Sequence, residues 1–588
     1  LQPQENAGKT VRTAWLLPNE AWLAPGAEDS PPRLRDDVWQ RLAPLWQGVS
    51  APRNETVAAR LRVPFVFLSR HLPVELGDAV QRRLEADKID GVEVHHEYGR
   101  EYPQGRVARL LIGAADVDNR GTCGLEALYN QPLTGVDGRH KVTVDARGHA
   151  IAQEREERED PIDGRNLELT LDATIQSYAE EAAAEAVAEF DADWGTAVVV
   201  DPYNGEVVAL ADAANAKYGM QEMVRSLALA YEPGSVMKPL VVAAALNEGL
   251  VTPNTQFMCH GSTVIDGHTL HDTEDHGLET VATAVRDSCN MTLIQIAQRL
   301  GQARLEPYLK AYGLLGRTGL TTENQEAKGD IFCADPTHWG NLKLATVSYG
   351  KGIQCSAVGI ARAYSALVNG GTLPTLHLVR RVLDQDGRVV VEQPSEGGPP
   401  VISENTAAQV RAMMRLVVHD EEGTAHNVES KLYDFAGKTG TSVAYGVGTN
   451  RVVSFIGFGP YEKPRLLVLL SVCEPRLGHR WGATTCGPAW KRLMERILQY
   501  LGVPAKPGAD VQPPAAKAAP AAKASPAPKP APAPKVSPAR AAAARAAAAE
   551  AAAAEHGGKP GKPVWSAKLA APAHGMKTKP HHVKEPAP

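Results

Sequence analysis

Between residues 167 and 211 the spacing of apolar positions along the chain changes three times. A short β-type run at 167–171 gives way to an Ala- and Glu-rich stretch, 174–190, which reads as a helix. Two further β-rich runs follow, 196–200 and 206–211, joined by the turn sequence D-P-Y-N-G. A helix leading into a hairpin predicts a sheet with helices packed on it. Downstream, two apolar helices flank Ser288 and another is predicted over 358–369. The chain then returns to β-structure at 434–443, 452–458 and 466–473, and a helix over 489–501 closes the module. Upstream, residues 10–152 mix short apolar segments with many Pro, Gly and Arg residues. There 63–68 is a strand pattern and 73–87 a helix pattern, which predicts an irregular α+β pedestal. The charged run 155–160, followed by Pro161 and Gly164, has the composition of a linker or exposed hinge. The expectation is thus an α+β protein in two modules, 1–160 and 166–502.

Composition adds a third region and a compartment. From Val503 the chain turns to Ala, Pro and Lys with repeated A-P-K, an extended polyproline-like pattern that cannot bury enough apolar area to fold. Residues 503–588 are therefore expected to be a disordered tail, with 541–555 a nearly pure Ala helix that has no docking face. The formal net charge of −6 hides an asymmetry, because the tail carries about +9 and leaves about −15 for the rest. Nothing in the folded part suggests nucleic-acid binding. The 43% of hydrophobic residues supports a large core, yet no run of about 20 apolar residues occurs that could span a membrane. The chain begins with Leu1, which suggests that an upstream anchor segment has been removed. The seven cysteines are scattered and odd in number, so they form no small disulfide framework. Cys473 and Cys486 could pair near the last strand or remain free buried thiols.

The candidate chemistry centres on residues 231–240, Y-E-P-G-S-V-M-K-P-L. Pro233 and Gly234 break the preceding segment and the apolar run 240–246 reads as a buried helix, which sets Ser235 at or just inside a helix start. Residues three apart share a helix face, so the Lys238 amine should stand beside the Ser235 hydroxyl, with free first-turn N–H groups aimed at whatever Ser235 attacks. A Ser three residues before a Lys is common by chance. Its weight comes from Ser288-Cys289-Asn290, about 50 residues on, and Lys438-Thr439-Gly440-Thr441, about 150 beyond that. S-x-x-K, S-x-N and K-T-G in this order form the signature of penicillin-recognising serine acyltransferases.

The chain resembles class B penicillin-binding proteins, the transpeptidase subunits of peptidoglycan synthesis. The likeness runs from about Val63 to Leu501 and includes R-E-Y-P at 100–103, G-T-C-G-L-E at 121–126, L-T-L-D at 169–172 and S-Y-G-K-G from Ser348. The family's membrane helix and its R-G-x-I-x-D-R-x-G segment are not in this sequence. The stretch 116–126 looks nearer the division-type than the elongation-type branch. The resemblance implies an antiparallel sheet flanked by helices and a covalent serine mechanism that needs no cofactor. Ser235 would attack the carbonyl between two terminal D-alanines, with Lys238 as base, its pKa depressed by burial and by Lys438. Ser288 would relay a proton, and Asn290 would orient the substrate amide and Lys238. Lys438 and Thr439 would hold the substrate carboxylate, Gly440 would let the donor peptide lie along the strand, and the N–H groups of Ser235 and Thr441 would form the oxyanion hole. Donor and acceptor stem peptides, β-lactams and a polytopic glycosyltransferase are the implied partners, on the extracytoplasmic face of the membrane.

Two readings compete with crosslinking: a β-lactamase or carboxypeptidase, for which no Glu-containing deacylation loop is evident, and a non-catalytic penicillin-binding sensor or scaffold. A separate feature is the density of zinc-type ligands around the second motif. Cys259, Asp272 or His271, His276 and Cys289 could converge on one structural zinc; alternatively Cys289 is a small buried residue and the histidines decorate a polar loop. The segment with His419, Glu421 and Glu422 before G-T-A at 423–425 is expected to be a solvated loop.

Overall fold

The computed structural model describes residues 9–16, 40, 66–88, 92–141 and 157–509, apart from 323, 334, 336, 337, 394–396, 444–450 and 479. The expected tail from 510 on, with its 541–555 helix, lies outside the described residues, as do 63–65 of the first strand pattern. In the amino-terminal part, strands β1 (Lys9–Leu16), β2 (Val66–Leu72) and β3 (Val92–Gly99) form an antiparallel sheet in the order β2-β1-β3. Helix α1 (Val74–Ala86) packs on it, burying Gly77, Val80 and Leu84, the three- and four-residue steps of one helix face. The charged run expected to be a hinge carries instead a short strand, Glu157–Glu159, paired antiparallel with Arg139–Lys141.

The second module follows the predicted rhythm closely. Strand β4 (Asn166–Leu169) leads into α2 (Ala173–Glu189), whose first turn is capped by Asp172 accepting from the N–H groups of Thr174 and Ile175. Then β5 (Trp194–Val200) and β6 (Val207–Ala214) form the predicted hairpin, with Val198 opposite Leu210. They join β11 (Ala436–Val443), β12 (Arg451–Gly459) and β13 (Leu466–Cys473) in an all-antiparallel sheet of order β6-β5-β13-β12-β11.

Every residue of β5 and β13 is buried, which explains why both read as unbroken apolar runs rather than alternating ones. One face of the sheet is covered by α2 and the closing helix Gly487–Tyr500; the other receives the helix Ala357–Val368. Each Val or Leu withdrawn from water in this way stabilises the fold by about 1.5–3 kcal/mol. Trp490 pins the closing helix: its Nε1 donates to the Val468 carbonyl at 2.9 Å and its ring meets Phe455 and Phe435 edge-on. Polar side chains inside the sheet pair with one another, Ser471 meeting both Ser454 and the Tyr231 hydroxyl at 2.9 Å.

The remaining helical layer holds the motifs. After the 3₁₀ turn Gly234–Met237 comes α3 (Lys238–Asn247), buried on all sides through Ala245. Two small hairpin-like pairs follow, β7 (Gln256–Cys259) with β10 (Gly277–Thr280) and, nested between them in sequence, β8 (Ser262–Ile265) with β9 (His268–His271). Helices α4 (Val281–Asp287) and α5 (Asn290–Leu300) then flank Ser288 as predicted. Helix α6 (Asn341–Ser348) packs on α5, α7 is the Ala357–Val368 helix named above, and α8 (Glu404–His419) lies against both α4 and β11. Residues 503–509, expected to belong to the tail, still pack on the body. The Lys506 N–H donates to Leu432 and the Tyr433 hydroxyl to the Val503 carbonyl.

Candidate active site

Ser235 sits in the 3₁₀ turn rather than in the α-helix that follows, and a 3₁₀ turn brings residues three apart into line, here Ser235 and Lys238. The turn is gripped from two sides. Gly234 has φ +59°, and a Cβ there would lie 2.5 Å from the Thr441 carbonyl oxygen. Its N–H donates to the Gly350 carbonyl at 3.0 Å, so the S-Y-G-K-G segment forms the other wall. A side chain on Gly440 would strike Val236 Cγ1 at 2.9 Å, which shows how closely strand β11 lies against the serine turn. β11 ends the sheet order, and its outer edge carries no strand among the described residues.

The three motifs converge on one hydroxyl. Ser288 Oγ lies 3.2 Å from Lys238 Nζ and 2.9 Å from Lys438 Nζ, while Lys238 Nζ also donates to the Ser288 carbonyl. Ser288 closes α4 in the left-handed conformation, φ +63° and ψ 35°, a region costly for a residue with a side chain. Both lysine side chains are fully buried. Burial pushes the Lys238 amine down to about 8, against the opposing fields of Asp272, Cys289 and Glu279. Lys438 is driven well below the ordinary lysine range, by burial first and by the charge on Lys238 second. The repulsion between the two amines is mutual, so a charge on either lowers the proton affinity of the other. Two amines this close titrate as a pair.

Asn290 opens α5. Its Nδ2 donates to the His271 carbonyl at 3.2 Å, so its side chain ties the β9 strand to the motif, and Ser288 is what meets Lys238. Asp272 Oδ2 accepts from the N–H groups of Asn290 and Met291 and lies 3.8 Å from Cys259 Sγ. Cys259, Asp272 and Cys289 place ligand atoms within 4.8 Å of one another. His276 is not in that group but in a second one, with Glu279 and Asp287, and His271 is exposed. Burial alone would raise Asp272, but hydrogen bonds from Cys289 and from the Thr273 and Met291 backbone, with the Lys238 charge, hold it below the usual carboxylate range. Burial raises the Cys289 thiol well above its ordinary value. Cys473 and Cys486 are free and buried, as are Cys355, Cys259 and Cys289, so no disulfide joins the last strand to the following helix.

Some residues of the site carry no motif. Glu232 braces the serine turn by accepting from the Gly352 N–H at 2.6 Å through its carboxylate and from the Ser442 hydroxyl through its carbonyl. The Tyr364 hydroxyl donates to the Val236 carbonyl from beneath. Glu232 adjoins P-G-S, and that adjacency is the one sequence signal that could have singled it out; Tyr364 has none. In the segment expected to be a solvated loop, Glu421 and Glu422 are exposed, whereas His419 ends α8 and pairs with Asp434; Glu422 Oε2 also lies 2.7 Å from Arg286.

Comparison with known proteins agrees with this geometry. Residues 195–495 match the penicillin-binding protein transpeptidase domain, and 62–169 match the penicillin-binding protein dimerisation domain. Stage V sporulation protein D of Bacillus subtilis is 33% identical over 72% of this chain and 67% of its own length. The probable peptidoglycan D,D-transpeptidase PbpC of Pseudomonas aeruginosa is 28% identical over 84% of each chain. Among solved structures, the transpeptidase domain of Burkholderia pseudomallei penicillin-binding protein 3 is 31% identical with a TM-score of 0.51, covering 57% of this chain and 97% of that one. Penicillin-binding protein 3 of Mycobacterium tuberculosis in complex with aztreonam is 26% identical with a TM-score of 0.60, covering 71% and 92%. A dimerisation module followed by a transpeptidase domain that fills half the sequence is the arrangement of the class B penicillin-binding proteins, and this chain belongs to that family of serine-type peptidoglycan D,D-transpeptidases.

Proposed function

We propose that Ser235 is the acylated nucleophile of the transpeptidase and that Lys238, Ser288 and Lys438 share the proton that makes it one. What carries this reading is the placement of one hydroxyl, Ser288 Oγ, within 3.2 Å of both buried amines. A donor carboxylate arriving at Lys438 and Thr439 draws the shared proton to Lys438 and leaves Lys238 neutral. Ser235 Oγ then attacks the carbonyl carbon between the terminal D-alanines while its proton passes to Lys238. The developing oxyanion is held by the N–H groups of Ser235 and Thr441, each such donor stabilising the transition state by about 3 kcal/mol. Collapse breaks the C–N bond, and the proton returns through Ser288 to the departing D-alanine amine. The amine of a second stem peptide attacks the acyl-enzyme and gives its proton to Lys238, which returns it to Ser235 Oγ as the acyl C–O bond breaks. Asn290 orients the donor amide, and Gly440 leaves room for the donor peptide along the free edge of β11. The test is to map the adduct: after incubation with penicillin, one added acyl group is expected on the peptide containing Ser235. An adduct on any other residue overturns the assignment.

We place the pedestal at 1–160 and the transpeptidase domain at 166–509, with the tail after it, and we assign the pedestal to a polytopic glycosyltransferase partner on the extracytoplasmic face of the membrane. The segment 116–126 favours a division-type role. The chemistry itself calls for no cofactor. A structural zinc on Cys259, Asp272 and Cys289 is a separate proposal, with His276 as fourth ligand once it leaves its seat beside Glu279 and Asp287. Two thiols and a carboxylate are a suitable donor set, and their place would be to fix Asn290 and Ser288. Protein purified without added metal is expected to hold about one zinc per chain, and Cys289→Ser to lower both metal content and melting temperature. Well under one zinc, with a melting temperature that Cys289→Ser leaves unchanged, would sink the idea.

A further inference from the structure

The left-handed turn at Ser288 is held from outside by residues that belong to none of the three motifs. The Arg286 carbonyl, in the last turn of α4, accepts from Thr424 Oγ1 at 3.0 Å and from the Thr424 N–H at 3.4 Å. The Arg286 guanidinium forks onto Asp287, Nε to Oδ1 at 2.7 Å and Nη2 to Oδ2 at 2.9 Å. Its Nη1 reaches Asp420 at 3.0 Å and Nη2 reaches Glu422 at 2.7 Å. Asp420 in turn takes the Glu422 N–H, and the Ala425 N–H returns to the Val417 carbonyl, so residues 420–425 form a closed turn on the end of α8. Gly423 is required in that turn, since a Cβ would lie 2.5 Å from the Val417 carbonyl oxygen.

Helix α8 packs along β11, which carries Lys438, and its terminal turn holds the last residues of α4, which carry Ser288. One rigid element thus sets the separation of two motifs that are 150 positions apart in sequence. We propose that Thr424 and Arg286 are positioning residues for acylation, acting through Ser288: the 420–425 turn holds α4 at the register in which Ser288 Oγ meets both lysines. Thr424 fixes the carbonyl two residues before Ser288, and Arg286 fixes the side chain of the residue between them. A displacement of about 1 Å at a reacting group costs as much as a hundredfold in rate, so loss of one such tether is expected to cost about tenfold.

The inference rests on the reading that Ser288 serves Ser235, and the experiment separates the two. Acylation by a fluorescent penicillin is followed by stopped flow to give the acylation rate k2 apart from the binding constant, for the unaltered protein, Thr424→Val, Thr424→Ser, Ser288→Ala and Ser288→Ala/Thr424→Val. The near-isosteric Thr424→Val is expected to lower k2 about tenfold with binding and melting temperature nearly unchanged, and Thr424→Ser to restore most of the loss. In the Ser288→Ala background the Thr424→Val change is expected to have no further effect, because the group it positions is gone. If Thr424→Val leaves k2 unaltered, or slows it equally in both backgrounds, the positioning role is refuted. If Ser288→Ala itself leaves k2 unaltered, the reading of Ser288 has failed instead. Should Thr424→Val melt early, Arg286→Lys in the same two backgrounds decides, since it keeps the charge but loses the fork.

Discussion

Ser235→Ala is expected to abolish covalent labelling by penicillin and to lower crosslinking of stem peptides by roughly four orders of magnitude or more. The loss is that large because the alanine protein retains only oriented binding and the oxyanion donors. The fold should survive intact: Ser235 is half-buried, its turn is held by Gly234, Gly350 and Glu232, and the deleted hydroxyl anchors none of these contacts. A melting temperature within a degree or two of the parent is therefore expected. Cells depleted of their own copy should not be rescued by Ser235→Ala. Rescue by the dead form would falsify the enzymatic reading and favour a scaffold, whereas rapid loss of label from the unaltered protein would favour a hydrolase.

Changing Lys438→Gln should invert the alkaline arm of the pH profile. In the unaltered protein the lysine pair shares one proton, which the incoming carboxylate needs at Lys438. Acylation efficiency should fall as pH rises through about 8, where burial places the Lys238 amine, because the pair then empties. With Lys438→Gln that requirement disappears and Lys238 must be neutral by itself. Efficiency should then rise through about 8, from a level roughly a hundredfold to a thousandfold lower because the carboxylate has lost its charged partner. The second-order rate constant for acylation by a carboxylate-bearing β-lactam, measured from pH 6 to 10, gives the answer. Parallel profiles for the two proteins would mean that the amines do not exchange a proton.

Much of the fold was legible because burial is complete. The runs at 196–200, 452–458 and 466–473 are covered on both faces, so β-branched and apolar residues dominate there, broken only by small residues such as Ser454 and Ser471, and the strands declare themselves. The 155–160 run has the composition of a linker, yet 157–159 pairs as one strand of a ribbon whose charged residues carry no period to read. Residues 503–509 share the composition of the tail, and composition is blind to the backbone hydrogen bonds and to the Val503 and Ala505 packing that hold them to the body. At the site, the three motifs gave the residues, yet not the strength of the electrostatics, which depends on how completely the packing encloses both amines and on which carboxylates face them. The grip of Thr424 and Arg286 on α4 was equally hidden, because G-T-A and Ser288 are brought together only by the packing of α8.

The fully enclosed lysine pair has a consequence for how this protein can change. Two amines withheld from water, each disfavouring a charge on the other, are a standing debit in the free energy of the empty fold. Apolar replacements there would relieve it and abolish turnover together. Gains in heat tolerance compatible with activity must therefore arise at a distance, in the sheet and its covering helices.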